Sequence, residues 1–199
     1  MPDRTLAPRP AITPATESGP RRAPGDEAAV TITTGIDYAL ATVMARKERT
    51  ELLVRRVREV FGLELPSTPR RVAAGATAFA WAGPGHWLAM AEGIDGPVFA
   101  DRLRADLVDL ASVSDQSDGR VVIRIRGRRA REALAKCLPI DLHPRAFGPG
   151  DSAATTVSHM AIHIWQIDKT PTYELALSRS YAVSFFHWLV AAAAEFGVA

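Results

Sequence analysis

The chain has little cysteine, little lysine and no long apolar run. Cys137 is the only cysteine among 199 residues, so no disulfide can form within the chain. A chain without disulfides fits a reducing compartment, and we expect a cytoplasmic protein. No apolar run reaches the roughly 20 residues that span a bilayer, and the N-terminus lacks the apolar core of a signal peptide. The sequence therefore argues against a secreted or membrane protein.

Positive charge comes almost entirely from arginine, because Lys47, Lys136 and Lys169 are the only lysines. Lys and Arg number 24 against 22 Asp and Glu, which gives a formal net charge of +2. Proteins that bind nucleic acids usually cluster basic and aromatic residues, and this sequence has no such cluster. The content of 47% hydrophobic and 23% charged residues is that of an ordinary globular protein.

Residues 1–28 form a proline-rich segment that holds six of the 14 prolines. Its apolar content is too low to offset the entropy lost on ordering. We therefore predict either a flexible tail or an arm that becomes ordered on a partner. In the second case Leu6 and Ile12 would pack into the partner, and nearby arginines would pair with its carboxylates. These arginines are Arg4, Arg9, Arg21 and Arg22.

The spacing of apolar residues from Val30 onward predicts a unit that mixes helices and strands. Helices are predicted over residues 48–62 and 96–111. A Gly-Pro-Gly turn between two tryptophan-bearing runs predicts a hairpin over 81–92. Further strands are predicted over 37–46, 70–83 and 112–116. The resulting order is β-α-β-β-α-β, which is the ferredoxin-like arrangement.

The residues after Gln116 largely repeat this order. Alternating apolar and arginine residues predict a strand over 120–127, and a helix follows over 127–138. Residues 151–168 predict two strands or one bent strand, 171–179 a further strand and 180–197 the last helix. We therefore expect an α+β fold with two ferredoxin-like βαββαβ-type halves. The expected divisions are an arm over 1–28, a first half over 29–111 and a second half over 112–199.

Asp115 and Asp118 lie where the two halves meet and raise the question of a cation site. A calcium loop of the familiar type needs alternating oxygen ligands and a glutamate at its twelfth position. The twelfth position counted from Asp115 is Arg126. The Asp118-Gly119 pair is instead typical of a tight turn between strands.

Two histidines and the single cysteine are the other candidates for chemistry. His159 and His163 have a spacing that holds zinc on a helix, but their surroundings alternate as a strand, which favours histidines within a sheet. A nucleophilic cysteine needs a nearby base and a lowered pKa. Cys137 shares the inward face of its predicted helix with Leu134, so we expect a small core residue. We predict no catalytic, cofactor-binding or metal-binding residue in this chain.

The tryptophans provide the last candidate feature. Trp188 has helical spacing with Phe185 and is expected in the core. Trp81 and Trp87 flank one hairpin, and both a core position and a partner-facing patch remain open for them. The predicted partner interface therefore comprises Leu6, Arg9, Ile12, Arg21, Arg22, Trp81 and Trp87.

Several long segments of this sequence resemble the gamma subunit of heterotetrameric sarcosine oxidase. The most specific is Cys137–Ser152, which reads CLPIDLHPRAFGPGDS, together with the preceding SVSDQSDGR. The resemblance extends from about Val30 to the C-terminus. A wider similarity is to the folate-binding fold of the glycine-cleavage aminomethyltransferase, in which a strand ending in Arg-Gly leads into a helix. Here Arg126-Gly127 is followed by RRAREAL.

The resemblance implies a role in an oxidase complex. Its holoenzyme oxidises sarcosine to glycine with oxygen as acceptor, producing hydrogen peroxide and, with tetrahydrofolate, methylenetetrahydrofolate. The family implies alpha, beta and delta partner subunits, with FAD, FMN, NAD and zinc associated with those subunits. Folate-using relatives carry an aspartate in the strand after the central hairpin. The matching residues 157–165 here contain none.

Three functions are compatible with these observations. The first is a noncatalytic structural gamma subunit of the oxidase complex. The second is a free-standing protein that binds folate and transfers one-carbon units, which the wider fold similarity suggests. The third is a binding module with an unrelated partner. Calorimetry with tetrahydrofolate separates the first two, and purification from native cells separates the third.

Overall fold

The described residues of the protein form two five-stranded sheets and four α-helices. The structure, a computed structural model, describes residues 10–13 and 29–199. The strands are β1 Thr31–Thr33, β2 Tyr38–Ala45, β3 Arg71–Ala74, β4 Thr77–Gly83, β5 His86–Glu92, β6 Ala111–Asp115, β7 Arg120–Arg126, β8 Ser152–Val157, β9 Met160–Asp168 and β10 Thr172–Ser178. The helices are α1 Thr50–Phe61, α2 Gly96–Asp106, α3 Ala130–Ala135 and α4 Ala182–Ala193.

The first sheet has the strand order β3-β4-β5-β2-β6, and neighbouring strands are antiparallel. Without the edge strand β3, this is the order of a ferredoxin-like unit. Side chains alternate between the two faces of each strand. Ala41, Val43 and Phe79 therefore point to the face that α1 and α2 cover, where they pack with Leu53 and Leu103.

The second sheet has the strand order β1-β7-β10-β9-β8. Helices α3 and α4 cover one of its faces, where Ile123 and Leu175 pack with Leu134 and Phe185. The edge strand β1 comes from the N-terminal side of the first unit. After α4, Val198 forms one isolated parallel β-bridge with Val30, the residue before β1.

The remaining faces of the two sheets pack against each other. Leu40 and Met90 of the first sheet contact a cluster that includes Val122, Trp165 and Ala176 of the second. The molecule is therefore layered helix, sheet, sheet, helix. At one edge Arg70 and Asp151 form an isolated antiparallel bridge that links β3 to β8.

The predicted α+β class with two halves is confirmed, and the first half has the ferredoxin-like strand order. The second half departs from it, because β8, β9 and β10 follow one another between α3 and α4 and β7 pairs with β10. Several element bounds also differ from prediction. The run 70–83 is two strands joined by a tight turn, and 151–168 is two strands that turn at Ser158 and His159. The helix predicted over 127–138 is regular only from Ala130 to Ala135. Gly127 has a φ of 123°, which a helix does not admit, and Pro139 lacks the N–H that would continue it.

Sheet membership crosses the divisions proposed from the sequence. Strand β6 pairs with β2 in the first sheet, although most of it follows residue 111. Strand β1 pairs with β7 in the second sheet, although it precedes the first unit. In the part of the chain that the structure describes, no helix is long and apolar enough to cross a membrane.

Candidate functional site

The most unusual buried group is the carboxylate of Glu174 in β10. The segment TYELALS alternates, so Tyr173, Leu175 and Leu177 face the helices. Glu174 and Ala176 consequently face the first sheet. Glu174 is 0% exposed. A buried charge is costly unless it is paired and hydrogen-bonded, so its partners decide whether it stabilises the fold.

Three side chains donate hydrogen bonds to this carboxylate. The Trp165 indole N–H donates to Oε2 at 2.7 Å. The Arg124 Nε donates to Oε1 at 2.9 Å, and its Nη2 donates to the same oxygen. The Tyr38 hydroxyl donates at 3.3 Å to Oε1 and 3.4 Å to Oε2. Both carboxylate oxygens are therefore satisfied by the protein itself.

The strand register places these donors around Glu174. Arg124 in β7 and Trp165 in β9 lie directly opposite Glu174 on its two neighbouring strands. Tyr38 comes from β2, so the cluster connects the two sheets. Burial, followed by the charge of Glu174, raises the pKa of Tyr38 to about 12. Because the carboxylate is enclosed and fully bonded, it has no free lone pair for a substrate, and we interpret the cluster as structural.

An open cleft of about 540 Å³ adjoins this cluster. Arg124 and Arg126 point to the same side of β7, and Thr33 and Thr31 lie directly opposite them on β1. Arg128 follows the bend at Gly127. The lining side chains are Thr31, Thr33, Arg124, Arg126, Arg128 and Thr170.

Asp168 is an acidic residue near this cleft, and its carboxylate is already engaged. It accepts the backbone N–H of Thr170 at 2.8 Å. Burial raises its pKa, but hydrogen bonds from Thr170 and Thr172 outweigh this effect and lower the pKa. Asp168 keeps its negative charge, but no ion pair joins it to an arginine of the cleft among the described residues.

The two histidines do not converge on one point. His159 lies exposed in the β8–β9 turn with a φ of 71°, whereas His163 is buried in β9. Burial lowers the pKa of His163 to about 4, against the raising effect of a hydrogen bond with the Trp81 backbone. The expected position within a sheet is confirmed for His163 and is wrong for His159. Among the described residues, no group of three or more His, Cys, Asp or Glu side chains could hold a metal ion.

The acidic residues at the junction form a turn. The Asp115 carboxylate accepts the Ser117 N–H at 2.9 Å and the Ser117 hydroxyl at 2.8 Å. The Gly119 N–H donates to the Gln116 carbonyl at 3.1 Å. The predicted turn is confirmed, and it joins β6 of the first sheet to β7 of the second.

Cys137 is buried, as expected for a core residue. It is 7% exposed and packs in the core of the second sheet. Burial raises the pKa of its thiol to about 11, and the opposing charge of Lys136 is the smaller effect. The thiolate that a nucleophile requires is therefore scarce at neutral pH.

The predicted interface residues have different surroundings. Leu6, Arg9, Arg21 and Arg22, like Arg4, lie outside the described residues. Ile12 is 7% exposed and packs in this chain's own core. Trp87 is 2% exposed and donates its indole N–H to the Pro66 carbonyl at 2.8 Å. Trp81, directly opposite Trp87 in the β4–β5 ladder, is half-buried, and Trp188 packs on Phe185.

Sequence reasoning missed the Glu174 cluster, although one signal was present. A single glutamate interrupts the apolar alternation of TYELALS, and arginines occupy alternate positions of RVVIRIR. A charged side chain on the buried face of a strand requires a partner of opposite charge. The sequence does not specify which arginine supplies it, because that depends on the pairing register of β7 and β10.

Comparison with known proteins identifies the family. The sarcosine oxidase, gamma subunit family matches residues 50–195. The chain belongs to this family. Sarcosine oxidase subunit gamma of Corynebacterium sp. strain P-1 is 36% identical over 141 residues, which cover 69% of this chain and 68% of that protein. Sarcosine oxidase subunit gamma of Arthrobacter sp. is 36% identical over 139 residues, covering 68% of this chain and 66% of that protein.

Solved structures extend the comparison for this gamma subunit family member. A chain of heterotetrameric sarcosine oxidase from Corynebacterium sp. U-96, in complex with pyrrole 2-carboxylate, superposes with a TM-score of 0.75 and 28% identity. The match covers 88% of this chain and 89% of that one. Aminomethyltransferase T of Bartonella henselae matches with a TM-score of 0.60 and 13% identity, covering 82% of this chain and 46% of that one. The second likeness shows a shared fold.

Proposed function

We propose that this chain is a noncatalytic structural subunit of a heterotetrameric sarcosine oxidase. The observation that carries the proposal is the match over 88% of this chain and 89% of a chain from such a heterotetramer. The complex would oxidise sarcosine to glycine and hydrogen peroxide, and with tetrahydrofolate it would form methylenetetrahydrofolate. The partners would be the alpha, beta and delta subunits, in the cytoplasm.

The chemistry of the titratable side chains supports a noncatalytic role. Glu174 is enclosed by donors, Cys137 has a raised pKa, and His163 is buried with a lowered pKa. None of these groups combines access to a substrate with a pKa suited to acid-base work near neutral pH. By the family resemblance, we assign FAD, FMN, NAD and zinc to the other subunits.

The alternative of a free-standing folate protein rests on the shared fold with aminomethyltransferase T. In the described residues the space between the sheets is filled by large side chains, among them Leu40, Met90 and Trp165. A pterin ring placed between the sheets would have to displace them. Calorimetry of the isolated chain with tetrahydrofolate tests this function, and tight binding would favour it over the structural role.

An assay of the isolated chain tests the proposal itself. We expect the purified chain to show no bound flavin by absorbance and no sarcosine-dependent production of peroxide. Adding it to the remaining subunits should restore the stability of the complex. Turnover or a bound flavin in the isolated chain would contradict a noncatalytic role.

The N-terminal arm is proposed to contact a partner subunit through Leu6 and Arg9. Because Ile12 packs in this chain's own core, the two parts of the arm require separate variants. Deletion of residues 2–9 should weaken assembly without changing the stability of the free chain. Ile12→Ala should destabilise the free chain by about 2 kcal/mol, as buried Ile to Ala changes commonly do. Wild-type assembly after the deletion would reject the docking role.

A further inference from the structure

The arginine cleft beside β1 carries positive charge at Arg126 and Arg128 that no ion pair among the described residues offsets. The Arg124 guanidinium is paired with Glu174. Arg126 and Arg128 have no ion-pair partner among the described residues, and no carboxylate lines the cleft. Two exposed guanidinium groups thus converge on one concave surface with three threonine hydroxyls beside them.

The backbone holds this cleft in a defined shape. At Gly127 φ is 123°, and a Cβ atom there would lie 2.3 Å from the Ala29 carbonyl oxygen. Only glycine allows strand β7 to approach residue 29 so closely and then bend, and Arg128 follows that bend. Arg124 is fixed by its bonds to Glu174, so one wall of the cleft is ordered before any ligand arrives.

We propose that the arginine cleft binds an acidic, extended segment of a partner subunit. Arg124 and Arg126 are alternate residues of β7 and lie about 6–7 Å apart on one face, which is also the spacing of alternate side chains in an extended acidic peptide. Arginine binds carboxylates through two parallel hydrogen bonds, a geometry that lysine does not offer. The identity of the partner rests on the proposed function, whereas the preference for carboxylates rests on the cleft.

Because the residues that line the cleft are exposed, an extended peptide segment fits it better as a ligand than an enclosed small molecule. Arg126, Arg128, Thr31, Thr33 and Thr170 are all exposed, and only Arg124 is half-buried. A small ligand is normally enclosed on most of its surface. A peptide segment in contrast can lie along an open groove and gain affinity from several charge-assisted bonds.

Calorimetry of the full chain with an end-capped hexaglutamate peptide tests the cleft. We expect binding at low salt that weakens as salt is raised. The double variant Arg126→Gln/Arg128→Gln should lower the affinity by about tenfold. The matched double variant Arg46→Gln/Arg55→Gln removes two exposed arginines of the first unit and should leave binding unchanged. Equal losses in both variants, or no binding by the wild type, would overturn the proposal.

Two acidic residues of this same chain are the alternative occupant of the cleft. Asp26 and Glu27 precede Ala29 in the sequence. If hexaglutamate binds only after Asp26→Asn/Glu27→Gln, the cleft is occupied by the chain itself and the proposal is overturned. Binding of equal strength with and without these substitutions supports a site for a partner.

Co-expression with the other oxidase subunits tests the partner's identity. The Arg126→Gln/Arg128→Gln chain should be recovered in the complex at several-fold lower yield than wild type, and the matched control at wild-type yield. Wild-type yield from the cleft variant would overturn the subunit interface. If no complex forms with the wild-type chain, the proposed function fails. The hexaglutamate titration then still tests whether the cleft binds carboxylates.

Discussion

The carboxylate of Glu174 accepts a 2.7 Å hydrogen bond from the indole N–H of Trp165, which lies directly opposite it on the neighbouring strand. The pair sits between the two sheets, and Tyr38 of the first sheet bonds to the same carboxylate. A shift of one residue in β9 or β10 would move one member of the pair to the helix face. The pair therefore favours one pairing register of β9 and β10 and one arrangement of the two sheets against each other.

Removing this carboxylate should destabilise the fold strongly. Loss of one member of a buried ion pair costs about 3–5 kcal/mol. Arg124 is 36% exposed and can turn toward water, so we expect Glu174→Ala to lower the free energy of unfolding by about 3 kcal/mol. Urea unfolding at pH 7 measures it. Glu59→Ala, at an exposed helix position, is the control and should change stability by less than about 0.5 kcal/mol.

His163 should make the fold sensitive to acid. Burial lowers its pKa from 6.5 to about 4, so the unfolded chain takes up the proton first as pH falls. The stability contributed by neutral His163 is present above pH 6.5 and is lost between pH 6.5 and 4, an effect of about 2–3 kcal/mol. His163→Phe should remove this part of the slope in urea unfolding across that range.

A second histidine variant provides the control for this titration. His159 is exposed in a turn with positive φ, which asparagine tolerates. His159→Asn should retain the slope of the wild type. If His163→Phe and wild type lose stability equally between pH 6.5 and 4, the account of His163 is wrong.

Gly127 should tolerate no side chain. Its φ is 123°, and an added Cβ would lie 2.3 Å from the Ala29 oxygen. We expect Gly127→Ala to cost more than about 2 kcal/mol, because backbone strain and a steric clash add. The control is Gly75→Ala. Gly75 also has a positive φ, at 57°, but a Cβ atom added there would meet nothing within 4 Å. Its cost should be about 1 kcal/mol, and equal losses at both positions would show that the clash at Gly127 is absent.

Cys137 should resist alkylation in the folded protein. Burial raises the pKa of its thiol to about 11 and also hides the sulfur. We expect labelling by iodoacetamide at pH 8 to be slow without urea and complete once the chain unfolds. Rapid labelling of the native protein, at the rate of a free thiol, would contradict a core position.

The sequence predicted the features that depend on local spacing. Leu53 and Val57 repeat at helical spacing, and the alternation in residues 120–126 predicted a strand. Such patterns arise because one face of a helix or strand is buried, and they do not depend on which strands lie next to it.

Other features depend on residues far apart in the chain. The turn at Ser158 and His159 contains no glycine to mark it, although both residues have positive φ. Strand β1 joins the second sheet because Gly127 admits residue 29, and no local pattern reports that contact. The Glu174 cluster likewise brings together Tyr38 and Glu174, which are 136 residues apart.

The central claim is that this chain serves as a noncatalytic subunit of a sarcosine oxidase complex. Purification from native cells with an antibody raised against the purified chain tests it most directly, since it leaves the N-terminal arm unmodified and the C-terminal Ala199 is hydrogen-bonded to Val30 and Ile32. The account predicts that larger sarcosine oxidase subunits, identified by mass spectrometry, elute with the chain, and that sarcosine-dependent peroxide production follows those subunits. Recovery of the chain alone, or turnover by the chain after the other subunits are removed, would contradict it.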